Sequence, residues 1–411
     1  MKHTHAHWCR PCWLWIALLG GVVLGPAGVR AQEASVPATA HRAGPVTLAP
    51  VITLRDIGVD TNVYRTATRP VSDFTFTAIP TLSATTRGRR VTLSGRSDTE
   101  LVYFSQQSSE RSVNPALSGT AQWKLPRMTL AGTASYLNTR DRPSDEIDAR
   151  LRHVERDGLI DLRVRVFPRL QIGPFARFTR IDYQADAEFG GFLLAAQLDQ
   201  RSRTFGVTTQ YLVTPLTAIV GTVEQERNRF PITALRDSDA NRYLGGVELQ
   251  PRALVSGSAM FGGAQFKSRH PLLPSYTGPI GRGNVTVRMR QSTTLGVGFE
   301  RDIQYSYSDL SPYYVRGGFN ASITRVLSAR WNLQGSGGRY AHRYQYVERP
   351  LIDGVVSNVD ETMIDVGAAG RYLVRPGTEI TVTLGYGERR AASLARRYSG
   401  VRFGSSVVYG F

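Results

Sequence analysis

The chain has 411 residues, with 50 Lys+Arg against 33 Asp+Glu, for a formal charge of +17. Forty Gly, 18 Tyr and 9% aromatics beside only 5 Met point away from disorder and helical bundles and towards β-structure. After residue 31 no apolar run reaches the roughly 18 residues a transmembrane helix needs, which excludes a polytopic helical membrane protein.

The first 31 residues read as a secretory signal peptide. Lys2 and Arg10 make a positive start, Trp13 to Leu24 is a short apolar stretch, and Val29-Arg30-Ala31 puts small residues at the −3 and −1 positions of a cleavage site. Cys9 and Cys12, the only cysteines, both fall inside this leader. Their Cys-x-x-Cys spacing suits a redox pair only beside a βαβ pattern, which is absent, so they read as part of the leader. The mature chain is then expected to lack a disulfide framework, a zinc-thiolate site and a cysteine nucleophile. It would carry 47 basic and 33 acidic residues, and of the basic ones only Lys124 and Lys267 are Lys. Residues 32–45 mix Ala, Pro and Ser without periodicity and read as a flexible periplasmic lead-in.

From Val46 to Phe411 one unit recurs: alternating segment, long polar connection, alternating segment, short turn. Short turns are expected at Arg87–Arg90, Leu125–Arg127, Phe167–Arg169, Thr214–Leu216, Gln250–Arg252, Arg290–Ser292, Leu327–Ala329 and Arg375–Gly377. Longer connections fall near 59–71, 105–112, 140–152, 185–200, 230–239, 268–276, 306–312, 346–360 and 391–397. Strict long–short alternation means one end of the structure is trimmed and the other elaborated, as in outer-membrane barrels with short periplasmic turns and long outer loops.

Within the segments the period is two. Ile160, Leu162, Val164 and Val166 oppose Asp161, Arg163 and Arg165, and Ile380, Val382, Leu384 and Tyr386 oppose Thr381, Thr383, Gly385 and Gly387. One face is apolar; the other is small, polar and scattered with charge, which suits a wet lumen rather than a second packed core. The predicted fold is all-β: a transmembrane antiparallel β-barrel of about 18 strands, with 16 as the fallback. The short turns recur at a step of roughly 35 to 48 residues, and a β-propeller with that repeat would need far more strands than the chain supplies. The final strand places Val401, Phe403, Val407, Tyr409 and Phe411 on one face. With its C-terminal Phe it resembles the insertion signal of bacterial outer-membrane proteins, so Val407, Tyr409 and Phe411 are assigned that role, with the barrel-assembly machinery and outer-membrane lipid as implied partners.

Residues 49–94 carry a more particular pattern. Asp60, Asn62, Val63 and Arg65 are followed by Ser72-Asp73, by Pro80-Thr81-Leu82, and by a turn at Gly88-Arg89. This segment resembles the first hairpin of the putative β-barrel porin 2 family, outer-membrane barrels associated with exopolysaccharide operons. There the pattern reads Asp-Asn-Val-x-Arg, then Ser-Asp and a Pro-x-Leu strand; here Thr61 splits the Asp-Asn pair. The resemblance implies a large barrel tied to glycan secretion or outer-membrane passage, and it supplies no catalytic residues. Physically, Asp60 and Asn62 suit a turn, and Asp73 could pair with Arg65 or Arg69 in a loop-stabilising cluster, a calcium or sugar contact being the alternative.

By alternation, the inward charges are Arg96, Arg163, Arg165, Arg288, Arg290, Arg316, Arg371 and Arg402, with Asp98, Glu100, Asp161, Glu224, Glu226, Glu248 and Asp365. Opposed signs on one wall tune ion selectivity, and the basic excess predicts anion preference, carboxylated or phosphorylated glycans included. The alternative is that these charges only pair and hydrate the wall. Trp123, Tyr136, Tyr313, Trp331 and Tyr346 near strand ends read as interface girdle. Tyr305, Tyr307, Tyr340, Tyr344 and Tyr346 could stack sugars, with the girdle again the better reading. The segment Glu188–Leu198 is apolar where an outer loop should be polar, and reads as a short helix folded into the lumen or as a cap facing lipid or a partner.

No catalytic motif appears. His41, His153, His270 and His342 stand alone in sequence, as solvated loop histidines usually do. No enzyme activity, cofactor or metal is expected, and dispersed arginine with an export signal argues against nucleic acid. The function read from sequence is an outer-membrane porin-like channel in a Gram-negative-type bacterium, serving passage or export of anionic polysaccharide or other anionic solutes. The alternatives are a structural barrel that docks a secretion partner and, third, a barrel hydrolase.

Overall fold

A computed structural model describes residues 40–251, 253–290, 292–347 and 360–410. The expected signal peptide, most of the expected lead-in and Phe411 lie outside the described residues. In chain order the strands are β1 (His41–Ala43), β2 (Val46–Asp60), β3 (Asp73–Arg87), β4 (Val91–Phe104), β5 (Ser112–Lys124), β6 (Met128–Asp141), β7 (Leu151–Phe167) and β8 (Leu170–Tyr183). A small hairpin of β9 (Glu188–Phe189) and β10 (Phe192–Leu193) follows, with the short helix α1 (Leu194–Leu198). Then come β11 (Gln200–Thr214), β12 (Thr217–Arg229), β13 (Ser238–Leu249), β14 (Val255–Ser268), β15 (Tyr276–Met289) and β16 (Thr293–Tyr305). The last are β17 (Tyr313–Val326), β18 (Trp331–Gln345), β19 (Glu361–Arg375), β20 (Thr378–Arg390) and β21 (Tyr398–Gly410).

Each long strand pairs antiparallel with the next, β8 pairs with β11, and β21 pairs back on β2 through Val51↔Gly410 to Asp60↔Arg402. The sheet is thereby a closed barrel of eighteen strands with no free edge, which satisfies every ladder without water. The short turns fall at the predicted positions, and the described long connections lie at the opposite end. The end of the lead-in differs from its expected irregular form: β1 folds back on Val46–Leu48 through Gly44 at φ 60°.

The dyad pattern separates two faces. Outward side chains are apolar and open to the surroundings, with Ile160 54%, Val223 54%, Phe261 60% and Phe319 58% exposed. This is the band that meets acyl chains. Trp123 and Trp331 sit at its turn end, Trp331 against Tyr372 at 4.8 Å, as an interface girdle does. Close strand packing also requires glycine at points; a Cβ on Gly262 would fall 1.7 Å from the Tyr243 carbonyl oxygen. Val223 lies mid-strand on the lipid face, so Val223→Arg should cost ~2–4 kcal/mol. Urea-dependent refolding into liposomes would measure it.

Candidate functional site

Apart from Arg290, every predicted lumen residue lies on the inward parity of its strand, and most are paired there. Arg96 meets Asp98 at 2.7 Å, Arg163 meets Asp161 at 2.9 Å, Arg371 meets Glu379 at 2.9 Å and Arg402 meets Asp60 at 2.8 Å. Glu100 takes Arg55 at 2.7 Å, and Glu248 accepts from Gln210 at 3.1 Å. Glu226 contacts Arg242, which lies 4.0 Å from Glu224 and 3.4 Å from Asp302. Asp365 sits opposite Gly387. By contrast Arg165 and Arg288, at the short-turn ends of β7 and β15, form no ion pair with another described residue. Arg290 occupies the following turn at φ 45°.

The outer end of the lumen is crossed by loops. The connection 142–150 leaves the fifth and sixth strands of the barrel and reaches the fourteenth to seventeenth, which lie on the far wall. There Asp145 accepts from Arg316 at 2.7 Å, and Arg316 also holds Glu300 at 2.5 Å. Arg389 contacts the Asp148 carboxylate and donates to the Asp145 carbonyl. Arg396 binds Glu361 at 2.8 Å and stands 3.7 Å from Asp148. His342, fully buried, lies 3.9 Å from both Asp145 and Glu361, with the tilted Tyr314 ring 4.6 Å away. Arg142 ties the base of the loop to the first outer connection by donating to the Val63 carbonyl at 2.6 Å.

Two other segments complete this plug. Glu146 accepts from Ser306 Oγ at 2.6 Å and from the Tyr307 backbone N–H at 3.2 Å. Ile147, Ala187, Leu194, Leu198 and Tyr307 form one buried apolar cluster. The apolar 188–198 segment therefore turns inward: α1 presents Leu194 and Leu198 to the loop carrying Ile147, while Phe189 and Phe192 meet Tyr307. Arg236 fastens it from the next connection, contacting Gln197 and donating to the Pro312 carbonyl at 2.8 Å.

Burial works to raise the Asp145 carboxyl, but neighbouring His342 and Arg316 hold it below the usual carboxylate range. Burial pushes Glu146 up to about 7, with Arg396 and the Ser306 hydrogen bond opposing and Glu361 adding to the rise.

Several sequence expectations are corrected by this arrangement. Tyr340 and Tyr344, 5% and 4% exposed, belong to the wall behind the plug, and Tyr313, 1% exposed, packs on Phe266 at 4.7 Å in the neighbouring apolar cluster; none belongs to a girdle. Arg316 lies over Tyr340 at 4.2 Å. His153 and His342 are buried, not solvated. Asp73 pairs with neither Arg65 nor Arg69; its carboxylate accepts the backbone N–H groups of Gln106 and Gln107. Arg65, at φ 51°, points instead towards Asp148 at 3.9 Å and over Tyr398. Asp60 and Asn62 do form the expected turn, Asp60 accepting from the Asn62 N–H and Asn62 Oδ1 from the Thr66 N–H. Pro80, lacking an N–H, faces outward at a gap in the β3–β4 ladder. Tyr409 meets Arg375 at the turn end.

A closed eighteen-stranded barrel with an aqueous, charged interior and an inward-folded loop defines an outer-membrane porin-like channel. The chain belongs to the putative beta-barrel porin 2 family, whose model matches residues 36–410. No curated protein sequence matches it. Among solved structures it is similar to OccK2 of Pseudomonas aeruginosa, at 11% identity and TM-score 0.49 over 88% of this chain and 97% of that one. It is also similar to OccK3 of the same organism, at 12% and 0.47 over 88% and 95%. The siderophore receptor PirA, again from P. aeruginosa, matches at 8% and 0.43 over 90% and 81%.

Proposed function

We propose that the barrel conducts anionic solutes from the periplasm outward, an acidic polysaccharide among them, through a path governed by the plug at its outer end. The observation that carries this reading is the uneven pairing of the lumen arginines. Arg96, Arg163, Arg316, Arg371 and Arg402 are each paired with a carboxylate, whereas Arg165 and Arg288, at the short-turn mouth, form no ion pair with another described residue. Uncompensated charge at a pore mouth concentrates counter-ions and sets the sign of selectivity. An anionic chain arriving from the periplasm would meet this positive rim first.

Replacing Arg165 and Arg288 by Gln should lower the anion-to-cation permeability ratio without changing barrel stability. The check is the reversal potential in a planar bilayer under a salt gradient; an unchanged ratio would refute the assignment. The plug also favours a second reading, a barrel kept closed until a secretion partner displaces its loops. In that case purified protein would be silent, and current would appear only with the partner present or the loop removed.

A further inference from the structure

The outer face of the barrel carries an arrangement that the channel reading does not use. On the surface of β7, β8, β11 and β12 the register places Arg156 opposite Arg180, Arg180 opposite Arg201, and Arg201 opposite Arg229. One step lower, Arg203 stands opposite Arg227. Like charges directly opposed across strands destabilise a sheet, and here four such contacts recur in adjacent rungs. The row spans about 15 Å at the usual interstrand spacing.

Protein carboxylates neutralise only its flanks. Asp182 takes Arg156 at 2.6 Å and Arg180 at 2.8 Å, and Asp239 takes Arg229 at 2.9 Å. Arg201 and Arg203, both exposed, form no ion pair with a described residue. Directly below on the same face lie Ile160, Phe178, Phe205 and Val223, between 43% and 54% exposed, the start of the acyl-chain band. The arginines therefore stand at the level where the band ends and the long loops begin. Arginine's forked donors match phosphate oxygens in pairs.

We propose that this row binds the phosphates of an outer-leaflet glycolipid, with the lipid's acyl chains lying along Phe178, Phe205 and Val223. A headgroup phosphate seated there turns the repulsion between opposed guanidinium groups into shared attraction. The apolar band immediately beneath commits the site to a lipid rather than to a free anion. This inference rests on the outer-membrane reading for its orientation but not on conduction.

The test is native mass spectrometry of the full barrel in detergent, titrated with bis-phosphorylated lipid A and with the same lipid after phosphatase treatment. The phosphorylated form should bind at least about tenfold more tightly. The triple variant Arg180→Gln, Arg201→Gln, Arg203→Gln should abolish that preference, and Arg330→Gln with Arg375→Gln at the other end should leave it intact. Equal retention of both lipids by the unaltered protein overturns the proposal without any variant. A preference that survives the triple substitution overturns the location. Competition by inorganic phosphate as effective as the lipid itself would overturn the lipid assignment. Because the readout is lipid retention, a barrel that carries no current leaves the proposal standing, and a conducting barrel without phosphate preference refutes it alone.

Discussion

Replacing Arg389 by Met is expected to release the 142–150 loop from the far wall at a cost of about 3 kcal/mol, the low end for breaking a buried ion pair. Arg389 is 1% exposed and contacts the Asp148 carboxylate, with Glu361 at 3.5 Å. Its loss strands two buried carboxylates, and Arg396, already on Glu361 at 2.8 Å, offsets only part of this. The check is limited digestion by a Glu-specific protease, because Glu146 is wholly buried when the loop is docked. The unaltered barrel should resist cleavage at Glu146 and the Arg389→Met barrel should be cut there. Adding Asp148→Leu removes one stranded charge and should restore part of the protection. Equal resistance of the single variant would show that Arg389 is not the latch.

The second large effect is on pH dependence. Glu146 titrates near 7 when docked, against an ordinary value of 4.5. A raised carboxyl holds its proton in the docked state through a range where the released loop has lost it. Docking is therefore strongest below pH 4.5 and weakens as pH rises towards 7, by up to about 3 kcal/mol. The groups facing Glu146 are Arg396, Glu361, the Ser306 hydroxyl and the Tyr307 amide. Tyr183, Tyr314, Tyr344 and Arg236 surround them. Single-channel current should rise between about pH 5 and pH 8, and Glu146→Gln, which keeps an acceptor for Ser306 without the charge, should flatten that rise. A current that falls over this range, or an equal rise in the variant, contradicts the assignment.

The barrel was legible in the sequence because its two constraints are local. Lipid outside and water inside impose period two on every strand, and Ile160/Asp161 or Ile380/Thr381 declare their faces within two residues. Proline marks several of the short turns: Pro126, Pro168, Pro215 and Pro376 each stop a ladder where it must end. The plug was not legible because its bonds are not local. Asp145 and Arg316 are 171 positions apart, and Asp148 and Arg389 are 241. Nothing in Arg142–Arg150 distinguishes a solvated acidic loop from one reaching across the lumen; only Ile147, an apolar residue amid charge, hints at burial. The apolar run through Leu194 was the visible signal, and it marks half of the contact. Tyr340 and Tyr344 misled for a related reason. An aromatic at a strand top looks the same whether it faces headgroups or an inward loop, and the deciding partner again lies far along the chain.

On the proposed reading, the 142–150 loop sets the width of the channel's outer end. Replacing residues 143–148 by a short Gly-Ser linker and recording single-channel current in planar bilayers tests this most directly. The expected result is a several-fold larger conductance than that of the intact barrel, with folding unchanged by heat-modifiable gel mobility. A folded, loop-deleted barrel that conducts no more than the intact one would contradict it.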